Sequence, residues 1–339
     1  MTDKIKSPMA PACGPTRRVV LGAALAATGM GLSAIRPAFA ADAYPSRPIH
    51  FIVPFGAGGL ADVTMRIAGE EMKNILGQAI VIENHPGAGG IAAANATLAA
   101  AHDGYTLIVL SNGTTIATSL FKKLPYNPQK QFMPISTVAW FDLTLFTNVK
   151  SPYDTVKKFI DKAKASPGTL NIGTIVPGST QNLAAEYFKS STGINANIIT
   201  YRTSPEVQTA LMRGEIDLAI ESYTAFASAI HGSQIRSIAV TGRERNPALP
   251  NVPTVLEQGI NYEVSGWNAL YAPAGTPPAV IDKLHDAVAK VTAMPKIKQR
   301  FAALGTIARS LTPSQMADQF EADRKKWAAV IEHAGIKKH

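Results

Sequence analysis

The apolar residues Ile49, Phe51, Ile52, Val53 and Phe55 run directly into Gly56-Ala57-Gly58-Gly59. Beyond the glycines the period changes: Leu60, Val63, Ile67, Ala68, Ile75 and Leu76 fall at helical spacing. A buried parallel strand, a glycine loop and a helix are expected in that order. Such a loop exposes backbone N–H groups with no Cβ in the way. The helix start adds unpaired donors and a partial positive charge, which together suit a small anion. A Walker loop needs Lys and then Ser or Thr after its glycines, and Leu60-Ala61-Asp62 stands there instead. The dinucleotide pattern needs a third glycine that is also absent. Asp62, in the first helical turn, repels a polyanion but can bond back to the loop N–H groups and hold their shape. A carboxylate fits better than a phosphate. A tight βα turn with no ligand explains the loop alone equally well.

The first 40 residues read as an export leader. Lys4, Lys6, Arg17 and Arg18 form a basic start, residues 19–32 are mildly apolar, and Ala38-Phe39-Ala40 is an A-x-A cleavage site. Thr16-Arg17-Arg18-Val19-Val20-Leu21 has the form of a twin-arginine signal, with a Sec signal as the other possibility. The leader contains Cys13, the chain's single cysteine, so no disulfide is expected after cleavage. The leader also carries five basic residues against one acid, which is +4 of the chain's net +9. A remainder of +5 with no long basic run disfavours nucleic acid as a partner and suits an anionic small molecule. The 299 residues that follow the leader are natural for two domains.

Strand and helix patterns alternate through those residues. Residues 79–83 read as a strand, 84–90 as a second glycine loop, 91–101 as a helix and 105–110 as a strand ending in a loop at 111–115. Three strands thus end in small, donor-rich loops, and in an open parallel sheet those ends share the edge where ligands bind. Residues 135–139 and 143–149 read as strands near a crossing. A second series follows, with strands at 170–174, 198–201, 216–220 and 235–241 and helices at 153–165, 183–190, 205–213 and 223–230. Residues 264–271 read as the return crossing, and the chain from Pro277 to near residue 331 as helical. The expected fold is α/β: two lobes, each a mostly parallel sheet flanked by helices, joined by two crossover segments. The expected lobes are residues 41–142 with 268–339, and residues 143–267. A ligand cleft is expected between them.

Catalytic patterns are sparse. Ser179 lies in Pro177-Gly178-Ser179-Thr180-Gln181, which is not a G-x-S-x-G elbow, and a hydrogen-bonding role fits it better than a nucleophilic one. The seven histidines form no metal-binding pair at helical spacing, so no metal and no cofactor is expected. Glu221 ends a strand at the cleft edge, where it either binds an amine on the ligand or is solvated. Trp140, Phe141 and Trp267 either stack on a ligand ring or fill the core at the crossings.

Taken together, the motifs resemble the solute receptors of tripartite tricarboxylate transporters, the Bug family. The resemblance rests on Tyr44-Pro45-Ser46-Arg47-Pro48-Ile49, Val53-Pro54-Phe55-Gly56-Ala57-Gly58-Gly59-Leu60-Ala61-Asp62 with Arg66, and Glu83-Asn84-His85-Pro86-Gly87-Ala88-Gly89-Gly90. Further on it rests on Asp103-Gly104-Tyr105, Gly178-Ser179-Thr180, Arg213-Gly214-Glu215-Ile216-Asp217, Leu249-Pro250-Asn251-Val252-Pro253 and Ala272-Pro273-Ala274-Gly275-Thr276-Pro277. It implies a type II periplasmic binding-protein fold without catalysis. It also implies a small organic carboxylate held by backbone N–H groups and waters of the loops at Phe55 and Gly178, and a monomer that docks on membrane permease subunits. Ala57, Asn182 and Thr203 depart from the family pattern, where a proline, a histidine and a glycine are usual. The expected ligand contacts are Phe55, Ala57, Gly58, Gly59, Asp62, Ser111 and Thr114 from the first lobe. The second lobe is expected to give Gly178, Ser179, Thr180, Asn182, Thr203 and Glu221. Signalling to a membrane kinase and hydrolysis through Ser179 are the competing functions.

Overall fold

The computed structural model describes residues 44–333 and 335–338; the expected leader, with its twin-arginine stretch, its cleavage site and Cys13, lies outside the described residues. The described residues pack as one compact unit. The chain opens with β1 (Ile49–Val53), α1 (Leu60–Leu76), β2 (Ile80–Asn84), α2 (Ile91–Leu98) and β3 (Thr106–Ser111). Where the sequence reads as a loop, the structure has α3 (Asn112–Leu120). Gly113, Thr114 and Thr115 are poor helix formers, which hides this helix from the pattern. A capping box starts it. Gly113 N–H donates to Ser111 Oγ at 3.1 Å and Ser111 N–H donates to Thr114 Oγ1 at 3.2 Å. Burial of Ile116 and Leu120 then holds the helix in place.

A short helix α4 (Pro128–Gln131) leads to β4 (Phe132–Asp142) and β5 (Thr144–Asn148). The second series is α5 (Val156–Ala165), β6 (Asn171–Ile175), α6 (Thr180–Thr192), β7 (Asn197–Tyr201), α7 (Ser204–Arg213), β8 (Leu218–Glu221), α8 (Tyr223–His231) and β9 (Ile235–Val240). The chain returns through β10 (Ser265–Pro273). The stretch expected to be helical throughout is divided into α9 (Pro278–Ala293), α10 (Pro295–Ala303), β11 (Thr306–Ala308) and α11 (Pro313–His333). Pro295 and Pro313 each begin a new helix, because a proline has no N–H to continue the previous one.

The strands form two sheets, ordered β11-β4-β10-β3-β1-β2 and β7-β6-β8-β5-β9. Following the pairings, four of six strands run one way in the first sheet and four of five in the second. In the second sheet the one reversed strand is β5, which has just arrived from the other sheet. In the first, β10 is reversed for the same reason, and β11 pairs antiparallel at the edge. β10 joins the first sheet at Ser265, slightly before the expected return at residue 268, and pairs there with Asp142. The carboxyl ends of β1, β3, β6 and β7 therefore open towards the space between the sheets.

Apolar side chains alternate across the first sheet, as its pleat requires. Ile49, Phe51 and Val53 pack with Met65, Leu284 and Phe301, whereas Ile52 packs with Trp267 and Phe320 on the other face. One core is shared by both sheets. Leu145, Phe159, Ile172, Phe188 and Ile220 of the second sheet's layers meet Ile116 and Leu120 on α3 and Trp327 on α11. The two crossings are tied to each other by Thr241. Its N–H donates to Leu143 O at 2.8 Å and its carbonyl accepts from Val264 N–H at 2.9 Å. Its hydroxyl accepts from Leu143 N–H at 2.9 Å and donates to Val264 O at 2.6 Å. Two of the four bonds go to Leu143 on one crossing and two to Val264 on the other, so Thr241 bridges them and fixes how one lies against the other.

Asp142, at the end of β4, faces the Gly242 backbone. Burial, with the negative charge of Glu263 as a smaller cause, pushes its carboxyl from 3.8 up to about 6. A carboxyl raised on folding favours the native state below its unfolded value, and that benefit is lost as pH rises through the folded value. Asp142→Asn removes the cost of ionising a largely buried group. It should be more stable than the parent by about 3 kcal/mol at pH 7.5, and the gain should shrink towards zero near pH 4 in urea titrations. A pH-independent difference between the two proteins would contradict the assignment.

Candidate functional site

Four helices start at the space between the sheets: α1 and α3 from the first, α6 and α7 from the second. The caps follow from local sequence. Gly59 caps α1 without a side chain, while Ser111, Ser179 and Thr203 cap α3, α6 and α7 with their hydroxyls. Each helix leaves N–H groups in its first turn without an intrahelical acceptor and places its positive dipole end here.

The loops from the two sheets are in contact. Thr180 Oγ1 donates to Asn112 Oδ1 at 2.6 Å, and Gly89 N–H donates to Pro177 O at 3.1 Å. Close approach explains two glycines. A Cβ on Gly113 would lie 2.8 Å from Gly178 O, and a Cβ on Gly56 would collide with the Thr203 side chain. Between these contacts a cavity remains, lined by Phe55, Gly56, Gly59, Leu60, Ala61, Ser111, Phe141, Ile175, Thr180, Gln181, Ser204 and Asn268. It leaves about 20 Å³ for the centre of a water molecule. A neighbouring space of about 10 Å³ is lined by Pro54, Phe55, Gly87, Gly89, Gly90, Ser111, Thr114 and Val176–Ser179. Phe141 also borders a separate hollow of about 220 Å³ beside the crossings, lined by Trp140, Asp142, Asn246 and Arg309 among others.

Of the expected contacts, Phe55, Gly59, Ser111, Thr114, Gly178, Ser179 and Thr180 line one or both of these spaces between the sheets. Ala57 and Gly58 do not; they form the exposed tip of the loop. The Gly58 N–H is used by Asp62, donating to its Oδ2 at 2.9 Å. Asp62 Oδ1 takes Arg66 Nε at 2.9 Å, Arg66 reaches Asn84 Oδ1 at 3.2 Å, and Asn84 Nδ2 donates to Phe55 O at 3.0 Å. Asp62 thus braces the loop from beneath, and its charge is offset by Arg66. Asn182 points away from the cavities: its Nδ2 faces Thr174 Oγ1 at 3.4 Å, while its N–H donates to Ser179 Oγ at 3.1 Å. Thr203 lines neither space; its hydroxyl caps α7 and its side chain packs against Gly56. The Ser179 hydroxyl is committed to the α6 cap and the Ser111 and Thr114 hydroxyls to the α3 capping box.

Glu221 is neither solvated nor facing the cavity. It is fully buried behind two residues that line it. Gln181 Nε2 donates to its Oε1 at 2.7 Å, Ser222 N–H donates to the same oxygen at 2.7 Å, and Ser204 Oγ donates to Oε2 at 2.7 Å. Burial pushes this carboxyl up, opposed by those hydrogen bonds. Gln181, Ser204 and Asn268 escaped the sequence reading. Gln181 directly follows the Gly178-Ser179-Thr180 stretch and Ser204 directly follows a capping threonine, so helix-start position was the available signal for both. Asn268 carries no such signal. Its Nδ2 is buried and has no hydrogen-bond partner among the described residues, and the residue lines the cavity. No group of three or more His, Cys, Asp or Glu suited to a metal occurs among the described residues.

Two sheets facing one another across such a cavity, with the chain crossing between them twice, form a two-lobed binding protein. Comparison with known proteins sharpens the class. Residues 64–336 match the model of the tripartite tricarboxylate transporter family receptor, and the chain belongs to that family. Protein BugT of Bordetella pertussis is 34% identical over 300 residues, covering 88% of this chain and 92% of BugT. The periplasmic binding protein BugD superposes with a TM-score of 0.83 at 29% identity, covering 87% of this chain and all of BugD. Rpa4515 of R. palustris, solved with adipate, gives 0.84 at 29% identity, covering 87% of this chain and all of that one. MatC of Rhodopseudomonas palustris, with bound malate, gives 0.80 at 29% identity, covering 85% and 100%.

The cross-cleft fit gives a direct test. Gly56→Ala drives a methyl group into Thr203 and should cost about 1–3 kcal/mol of stability. Adding Thr203→Ser, which keeps the cap hydroxyl but removes Cγ2, should recover part of the loss in thermal melts. A Gly56→Ala protein as stable as the parent would show that these loops do not meet.

Proposed function

We propose that this receptor closes its two lobes on a small organic carboxylate and delivers it to the membrane subunits of a tripartite tricarboxylate-type transporter. One observation carries the reading: four helix starts and Asn268 Nδ2, which has no partner among the described residues, converge on one cavity between the sheets. All of these groups are donors, and a carboxylate accepts several at once. The adipate and malate bound by two structural relatives support the same ligand class. The ligand contacts proposed are the first-turn N–H groups after Gly59 and Ser179, the Asn268 amide, and the loop segments of Phe55, Ser111, Thr114, Gly178 and Thr180. Ala57, Gly58 and Asp62 shape the first loop, and Asn182, Thr203 and Glu221 support the second lobe's side.

Release would swing the lobes, residues 41–142 with 268–339 and residues 143–267, about the crossings held by Thr241. The receptor works as a monomer without catalysis, and the capped Ser179 hydroxyl supports that view. The leader at residues 1–40, with its paired arginines, would export it to the periplasm, in keeping with the family's periplasmic binding proteins.

A thermal-shift screen of the chain from Ala41 against mono-, di- and tricarboxylates tests the reading. A ligand at about a hundred times its Kd should stabilise the protein by about 2.7 kcal/mol, and one chemical class should stand out. A screen in which no carboxylate moves the melting point would overturn it.

A further inference from the structure

The partners of the Glu221 carboxyl group are all neutral: the Gln181 amide, the Ser204 hydroxyl and the Ser222 N–H. The surroundings of this group fix the polarity of one wall of the cavity. We propose that Glu221, acting through Gln181 and Ser204, makes the receptor select carboxylates that carry a hydrogen-bond donor, a hydroxyl or an ammonium, beside the carboxylate. The proposal rests on the carboxylate reading above and names the feature that the ligand must add to its carboxylate.

Glu221 Oε1 accepts from both the Ser222 N–H and Gln181 Nε2. The Gln181 amide must therefore turn its NH2 towards Glu221. Its carbonyl oxygen is then the polar atom left to offer the cavity that the residue lines. Ser204 has one hydroxyl hydrogen and spends it on Glu221 Oε2. Its oxygen, which lies 3.1 Å from where a Cβ on Gly59 would stand, meets the cavity as an acceptor. The remaining walls offer donors: the first turn of α1 and Asn268 Nδ2.

The cavity is thus polarised. Donors receive the carboxylate, and two acceptors wait for something that donates. An unsubstituted acid would place CH2 against Gln181 Oε1 and Ser204 Oγ and bury both without a partner. Sites built to hydrogen-bond a substituent reject the analogue lacking it by tenfold or far more. An ammonium would in addition bring positive charge close to a buried carboxyl group that has no cationic partner of its own among the described residues.

Titration calorimetry with matched acids decides the matter. Succinate, malate and aspartate differ only in hydrogen, hydroxyl or ammonium at one carbon, and propionate, lactate and alanine repeat the series with one carboxylate. In at least one series the substituted acid should bind at least tenfold tighter than its parent, and the hydroxyl and ammonium arms show which donor is preferred. Gln181→Met, which keeps the bulk and removes the acceptor, should bring that ratio to within about threefold. Glu221→Gln can present either end of its amide to Gln181 and should narrow the ratio too. Parent acids that bind as tightly as their substituted partners would overturn this proposal and leave the carboxylate reading standing. A ratio that survives Gln181→Met would do the same. If none of the six acids binds, this proposal falls, and the wider thermal-shift screen decides the carboxylate reading separately.

Discussion

Backbone N–H groups at the start of a helix have no partner within the helix, and a buried one left unpaired costs free energy. This fold brings four such starts to one place and closes the space around them, so the site needs an acceptor. The rest of the structure serves that requirement. Parallel strands deliver their carboxyl ends to the gap between the sheets. Glycines at positions 56 and 113 let the two sets of loops approach to contact. Two crossings, pinned together at Thr241, keep both sheets in register with the gap.

The acids near the site do not offer free charge to the cavity. Asp62 stands in the first turn of α1, close to where an anion would sit. Its carboxylate is already shared between the Gly58 N–H and the Arg66 guanidinium. Glu221 is withdrawn behind Gln181 and Ser204, and burial pushes its carboxyl up. The first acid holds a loop and the second sets the orientation of two side chains. Neither presents a bare negative charge to the cavity.

Much of this architecture was legible in the sequence, and the exceptions have physical causes. The strand–glycine–helix order at residues 49–66 announces both the parallel sheet and the donor loop, because strand period, helix period and glycine are local signals. Helix α3 was not legible, since Gly113, Thr114 and Thr115 argue against a helix until their cap and the burial of Ile116 are known. The glycine loop between β1 and α1 is marked by local sequence, but which of its residues face inward is not. Ala57 and Gly58 project outward because Asp62 pulls the Gly58 N–H back towards α1. Helix-start position is the local mark of Gln181 and Ser204, but Asn268 has none, and that all three share one cavity shows only when two sheets distant in sequence meet.

The most direct measurement is a crystal structure of the chain from Ala41 grown with the carboxylate that stabilises it most. Carboxylate oxygens should lie within hydrogen-bond distance of Asn268 Nδ2 and of the first-turn N–H groups of α1 or α6, in the cavity between the sheets. A ligand seated instead in the hollow beside the crossings, against Trp140 and Arg309, would contradict it.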